Sequence, residues 1–237
     1  MQNFLVFVLS MFLVAAAQAE GFSNTSEASV VVTGGNTDLQ VYSAKTLNTY
    51  KKEKNTYNLS GHYTYGTSDE ELSARNWSFL GRYDRNLTGK WGVFAAYQYE
   101  QDKFRGFDFR QNHDVGGTFA AYTSDRQILS FELGYRLTRE KSISLLAETE
   151  SLQKSRYAST YEFKAASNWS IKFIQELLLN HTRKSDTIYT AEPSLNMALS
   201  DKVSFKFGYR GIYENQPSQP GFRKYDYQFT SGLIANF

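Results

Sequence analysis

Apolar and polar side chains alternate with a period of two along most of the chain, as in a strand whose two faces meet different surroundings. The pattern is clearest at the C-terminus. Tyr225, Tyr227, Phe229, Ser231, Leu233, Ala235 and Phe237 share one face; Lys224, Asp226, Gln228, Thr230, Gly232, Ile234 and Asn236 share the other. Val203, Phe205, Phe207 and Tyr209 oppose Ser204, Lys206, Gly208 and Arg210. Leu129, Phe131, Leu133 and Tyr135 oppose Ser130, Glu132, Gly134 and Arg136. The pattern predicts twelve strands, near 27–33, 37–50, 55–66, 74–84, 90–101, 112–123, 127–138, 156–166, 170–181, 187–199, 202–213 and 224–237. Pro193 lies in the tenth; a proline removes a ladder donor, so a bulge or an edge is expected there.

The connections alternate as well. Tight turns at 51–54, 85–89, 124–126, 167–169 and 200–201 lie between longer segments at 67–73, 102–111, 139–155 and 214–223. The segments at 34–36 and 182–186 are short exceptions. Short turns at one end and long loops at the other is the layout of an outer-membrane barrel. Tyr50, Tyr57, Tyr83, Trp91 and Trp169 flank the short turns, and Tyr65, Trp77, Tyr99, Tyr135, Tyr157, Tyr189 and Tyr209 lie toward the long loops. Amphipathic rings so placed form two girdles at the headgroup levels. A soluble β-sandwich or lipocalin-like barrel shows the same alternation with its faces reversed. Strand length, alternating loop length and a terminal Phe237 favour the membrane. The predicted fold is all-β: a 12-stranded antiparallel transmembrane β-barrel with short periplasmic turns and longer extracellular loops.

Residues 1–19 carry no charged side chain. The apolar run Leu5 to Ala17 is shorter than the ~20 residues a spanning helix needs, and Ala17-Gln18-Ala19 fits a small-x-small cleavage site. A cleaved signal peptide over 1–19 and one barrel domain over 20–237 are expected, although no Lys or Arg precedes the apolar run. Composition narrows the function. Twenty-six Lys and Arg against 24 Asp and Glu leave a net charge of +2, with no basic field for nucleic acid. Absence of cysteine removes disulfides, thiolate metal sites and cysteine nucleophiles. No metal-ligand spacing or phosphate-cradling loop is present, so no metal or cofactor is expected.

Several short motifs occur in order: Thr33-Gly34-Gly35-Asn36-Thr37; then Tyr97, Glu100, Asp102, Phe104, Gly106, Arg110, Gly116 and Gly117; then Gly134-Tyr135-Arg136 and the closing strand. With them the chain resembles the bacterial salt-induced outer-membrane proteins, a domain family otherwise labelled as of unknown function. The resemblance spans nearly all of residues 20–237. It implies an outer-membrane barrel linked to salt or osmotic stress, and no catalytic residue. Thr138 stands where the family pattern has an acid.

In a barrel with a lipid-facing apolar side, the charges line the lumen, because Arg or Lys at the bilayer midplane costs about 2–4 kcal/mol. The lumen candidates are Arg82, Glu100, Glu132, Arg136, Glu162, Lys164, Glu192, Lys206 and Arg210, with Asp84, Asp114, Glu176, Asp226, Lys172 and Lys224 on the same faces. Near-balance of charge disfavours a strongly ion-selective pore. Twelve strands lie between filled and open interiors, which leaves two readings. One is a narrow channel for small polar solutes; the other is a closed structural barrel. Asp102, Phe104, Asp108 and Arg110 are the candidates of an extracellular loop, either folded on itself or constricting. Phe229, Leu233 and Phe237 form the expected C-terminal signal for the barrel-assembly machinery, and outer-membrane lipid is the other expected partner. A lipid hydrolase is a lesser alternative built on Ser60 and His62; at i, i+2 these lie about 7 Å apart and need a cross-strand partner. His113 beside Asp114, with Asp102 and Asp108, is a minor cation candidate.

Overall fold

The structure, a computed structural model, describes residues 20–33, 39–69, 71–144, 148–217, 221 and 223–237. The expected signal peptide lies outside them. Among the described residues twelve strands form: β1 (Phe22–Thr33), β2 (Leu39–Lys52), β3 (Asn55–Ser68), β4 (Glu71–Asn86), β5 (Trp91–Asp102), β6 (Phe107–Thr123), β7 (Gln127–Ser142), β8 (Thr149–Ala166), β9 (Trp169–Asn180), β10 (Thr187–Ala198), β11 (Val203–Glu214) and β12 (Tyr225–Asn236). Each pairs antiparallel with its sequence neighbours, and β12 returns to β1, closing the barrel. Closure leaves no free edge at the seam's paired length, which a lipid-exposed sheet requires.

Every strand face predicted from alternation is present, but several strands run further. β3 and β4 extend to Ser68 and from Glu71, β5 and β6 to Asp102 and from Phe107, and β7 and β8 to Ser142 and from Thr149. The segments expected as loops at 67–73, 102–111 and 139–155 are therefore largely strand. The apolar alternation ends where the lipid ends, while the backbone ladder continues above it with polar residues on both faces. The ten-residue segment 215–224 remains the longest connection. The ladder from β10 to β11 passes from Ala191↔Gly211 to Ser194↔Gly208, skipping Glu192 and Pro193. The proline thus interrupts the ladder without adding a residue.

The apolar faces point outward. Leu133 is 60% exposed, Phe229 58% and Phe207 50%, whereas the Arg136 side chain keeps only 11%. A soluble barrel would reverse these values. Ion pairs confirm the direction. Arg82 on β4 and Glu132 on β7 are three strands apart, about 14 Å along the wall, yet their side chains meet at 2.8 Å. Only the interior allows that. Outward rings stack from strand to strand: Tyr50, Tyr57 and Tyr83 with centroids 6.2 and 5.2 Å apart at the short-turn end, and Trp77, Tyr99 and Phe109 with centroids 5.2 and 6.3 Å apart at the other. One outward region is polar: Asn24 donates to Thr46 and Asn48 on the faces of β1 and β2.

Candidate functional site

The inward residues of β4 to β9 build a charged cluster. Arg82 donates to both oxygens of Asp84 and pairs with Glu132. Glu132 also accepts from Arg156 at 2.6 Å. Arg156 approaches Glu176 at 3.4 Å and Asp114 at 3.7 Å, and Arg136 joins Asp114 at 2.7 Å and Glu176 at 3.2 Å. Three arginines and four carboxylates thus share one network. Their strong mutual solvation offsets the cost of leaving bulk water.

A ring anchors the network. Phe94, on the inward face of β5, lies under Arg82 at 4.3 Å and Arg156 at 5.4 Å. It occupies space left by glycines on the next two strands. A Cβ at Gly116 would meet Phe94 Cε1 at 2.7 Å, and one at Gly134 would meet Phe94 Cζ at 3.2 Å. The register Gly116↔Gly134 places the two side by side, so the ring lies flat on bare backbone and presents its face to the guanidinium groups.

Above this cluster the connection from β5 to β6 folds over the mouth. Asp102 caps a 3₁₀ turn (Lys103–Arg105), accepting from the backbone N–H groups of Phe104 and Arg105 at 3.1 Å each, and Gly106 closes it with a left-handed backbone at φ 87°. The turn sends Arg105 to Glu214 at the end of β11, where the two form an ion pair. In the closed order β5 and β11 are six strands apart either way round, so they stand on opposite walls. Arg105 therefore ties one side of the mouth to the other. Phe107, fully buried, supports it beneath the guanidinium of Arg110 at 4.0 Å. Arg110 in turn pairs with Glu140 at 2.5 Å and Glu100 at 3.5 Å.

The remaining interior is open. A cavity of about 850 Å³ runs along β1 to β5 and β8 to β12 and includes Glu27, Lys45, His62, Lys172, Glu192 and Lys206 in its lining. Lys206 pairs with Glu27 across the β12 strand at 2.8 Å, and Arg210 with Glu192 at 2.8 Å. Two smaller cavities, about 260 and 210 Å³, lie toward the mouth on either side of Arg105. Gln98 and Arg210 line all three. They sit on β5 and β11, opposite one another, and mark the waist.

The sequence candidates distribute as follows. Arg82, Glu132 and Arg136 belong to the charged cluster, Glu100 to the mouth, and Glu162, Glu192, Lys206 and Arg210 to the large cavity. Lys164 shares the inward face of β8 but lies exposed near the turn end. Asp102 and Phe104 lie at the four-residue connection. Asp108 and Arg110 fall in β6, where Asp108 makes an exposed pair with Lys103 at 3.3 Å and Arg110 points inward. Arg110 is thus a lumen residue rather than part of a surface loop, because the β5–β6 ladder reaches Phe107. Alternation missed Glu27, Arg105, Glu140, Arg156 and Glu214, which lay in segments read as loops or at the ends of strands. Parity alone would have found Glu140 and Arg156, since each continues the face of Glu132 or Glu162.

His62 does not assemble a hydrolytic triad. Its Nε2 lies 3.2 Å from Ser43 and 3.1 Å from Thr64; among the described residues no carboxylate hydrogen-bonds to it. His113 stacks outward on Tyr97 at 4.9 Å, away from inward Asp114, so that pair cannot share a cation. Thr138 is fully buried and donates to Asn112 Oδ1 at 2.8 Å, joining β7 to β6 where an acid would sit beside Glu140.

Outward apolar faces, two aromatic girdles and an ion-lined interior define an outer-membrane β-barrel. Residues 26–237 match the family described as "Protein of unknown function, DUF481", and the chain belongs to that family. It is 23% identical over 219 residues to the "Uncharacterized protein YdiY" of Escherichia coli (strain K12), covering 92% of this chain and 84% of that one. Among solved structures the NanC porin superposes with a TM-score of 0.56 at 10% identity, over 90% of this chain and 98% of the other. The KdgM porin gives 0.52 at 9% identity, over 91% and 99%. These two likenesses are of fold. The family description carries no salt-related role.

Proposed function

We propose that this barrel is a narrow, non-enzymatic channel for small polar solutes, constricted at its extracellular mouth by the β5–β6 connection. The observation that carries the proposal is the cavity of about 850 Å³ that reaches the waist at Gln98 and Arg210. A barrel built only for rigidity gains by filling its interior, as packing density in closed cores shows. Here the charged cluster fills one wall and leaves the other wet. The fold likeness to porins supports the same reading; one of them is described as the KdgM porin in complex with disordered oligogalacturonate. Mixed charge along the route, with Lys206 and Arg210 neutralised by Glu27 and Glu192, suits polar or zwitterionic solutes. Phe229, Leu233 and Phe237 lie on the outward face of β12 and its end, and their recognition by the assembly machinery during insertion is part of the proposal. Removal of residues 1–19 during export belongs to the same proposal. A link to salt or envelope stress rests on the sequence resemblance alone.

Vesicle swelling tests the solute size. Vesicles containing the refolded protein are expected to swell faster than empty ones in isotonic arabinose, and no faster in isotonic raffinose. Equal rates with and without protein in arabinose would favour the closed structural barrel.

A further inference from the structure

The cavity of about 260 Å³ below the mouth has two unlike walls. On the charged wall, every ionic side chain of the lining but one has a partner. Glu100, Asp114, Glu176, Glu192 and Glu214 each meet an arginine, and each lining arginine meets a carboxylate. Lys154 on β8 is the exception. It is 2% exposed and lines the cavity, yet makes no ion pair or hydrogen bond among the described residues. The charges it feels most are Arg110, Glu140, Asp186 and Arg136, two of each sign, and Arg136 stands directly opposite it in the register. Glu140 is held by Arg110 at 2.5 Å, and Asp186 accepts from Asn180 at 2.9 Å. The ammonium is left without a counter-ion, and a buried charge favours finding one. Nε of Arg105 and Nε of Arg156, in the same lining, are also buried with no acceptor among the described residues. The chamber is short of acceptors, not of donors.

The other wall is apolar. Leu178 of β9 and Ile188 of β10 are opposed in the register, and Ile212 of β11 faces Thr190, diagonal to Ile188. All three line the cavity, on the strand face that elsewhere carries polar residues. Apolar surface left against water forgoes about 25 cal/mol per Å², so a solute body of like character gains by covering it. Lys154 adjoins this wall. It is opposed to Asn180, and Arg156 to Leu178, which makes Lys154 a diagonal neighbour of Leu178. Such neighbours lie about 7–8 Å apart, within reach of a long side chain. One cation beside an apolar patch fits a solute with one negative charge and an apolar body. A phosphate dianion would bring a second charge for which the lining has no unpaired cation among the described residues.

We infer that this chamber binds a monocarboxylate with an apolar body, its carboxylate on Lys154 and its body on the wall of Leu178, Ile188 and Ile212. The site stands whether or not the barrel conducts. Fluorine NMR of para-fluorobenzoate, titrated with the refolded protein in detergent, tests it. Saturable line broadening is expected. Lys154→Met, close in length and uncharged, should weaken binding about tenfold, the worth of one charge-assisted contact. Partitioning into micelles is the same in both samples and cancels. The variant removes an uncompensated buried charge, so its urea midpoint should be no lower. Para-fluorobenzamide, neutral and of the same shape, should bind weakly and equally to both proteins. Fluoroacetate, a carboxylate without the apolar body, should bind severalfold more weakly than para-fluorobenzoate. Leu178→Asn, on the other wall, should weaken para-fluorobenzoate and leave fluoroacetate as it was. Unchanged affinity in folded Lys154→Met, or no saturable binding to the unaltered protein, would overturn the site. Fluoroacetate binding as tightly as para-fluorobenzoate would overturn the role of the apolar wall. A barrel that binds para-fluorobenzoate yet passes no current would keep this site and lose the channel.

Discussion

Arg105→Glu is expected to raise the single-channel conductance of the refolded barrel by about twofold or more, by freeing a constriction at the mouth. Arg105 crosses from the β5–β6 connection to Glu214 on the opposite wall, so the substitution turns a tether into a repulsion. At contact distance in a partly solvated site the Coulomb interaction is about 4 kcal/mol, and it changes sign. The turn itself should survive, because its cap comes from Asp102 and its backbone reversal from Gly106. Restoring opposite charges tests whether the pair, rather than side-chain size, sets the opening. Arg105→Glu combined with Glu214→Arg should return the conductance toward that of the unaltered protein. Conductance left high in the double variant would mean that Arg105 acts through its packing on Phe107, not through Glu214.

The second large effect is expected on stability. Glu132→Ala should destabilise the barrel by about 3 kcal/mol, the lower end for removing one partner of a buried ion pair, since water reaches this cluster. Glu132 accepts from Arg82 and from Arg156, so its loss leaves two guanidinium groups facing one another above Phe94. Asp84 retains Arg82, whereas Arg156 keeps only the longer approaches to Glu176 and Asp114. Glu132→Gln should cost less, because its carbonyl oxygen still accepts one hydrogen bond. Reversible urea unfolding in vesicles reads both values. Glu162→Ala is the control: it lies in the large cavity opposite Lys172 in the register, and a cost as large there would dissolve the distinction between a load-carrying cluster and a solvated lining.

The barrel was legible in the sequence because its physical cause is local. Lipid outside and ions inside impose a period of two, and the runs around Phe131, Phe207 and Phe229 show it without tertiary information. Strand ends were less legible. Once a strand leaves the bilayer, both faces meet water or protein, and alternation stops while hydrogen bonding continues; hence Phe107–Arg110 and Glu140 looked like loop. The inward position of Arg82, Glu132 and Arg136 followed from parity. Their grouping did not, because ion pairing across three strands depends on barrel closure. The Arg105–Glu214 tether, 109 residues apart in sequence, is a consequence of strand number: only with twelve strands do β5 and β11 face one another. Phe94 illustrates the same limit. It reads as one more aromatic in β5, yet its parity is inward, and the bare backbone at Gly116 and Gly134 is what receives it.

Single-channel recording of the refolded, unaltered protein in a planar bilayer tests the open interior most directly. The account predicts small, discrete current steps from protein shown to be folded by its β-sheet circular dichroism. A folded barrel that stays silent, both unaltered and as Arg105→Glu, would contradict it and leave a closed structural barrel.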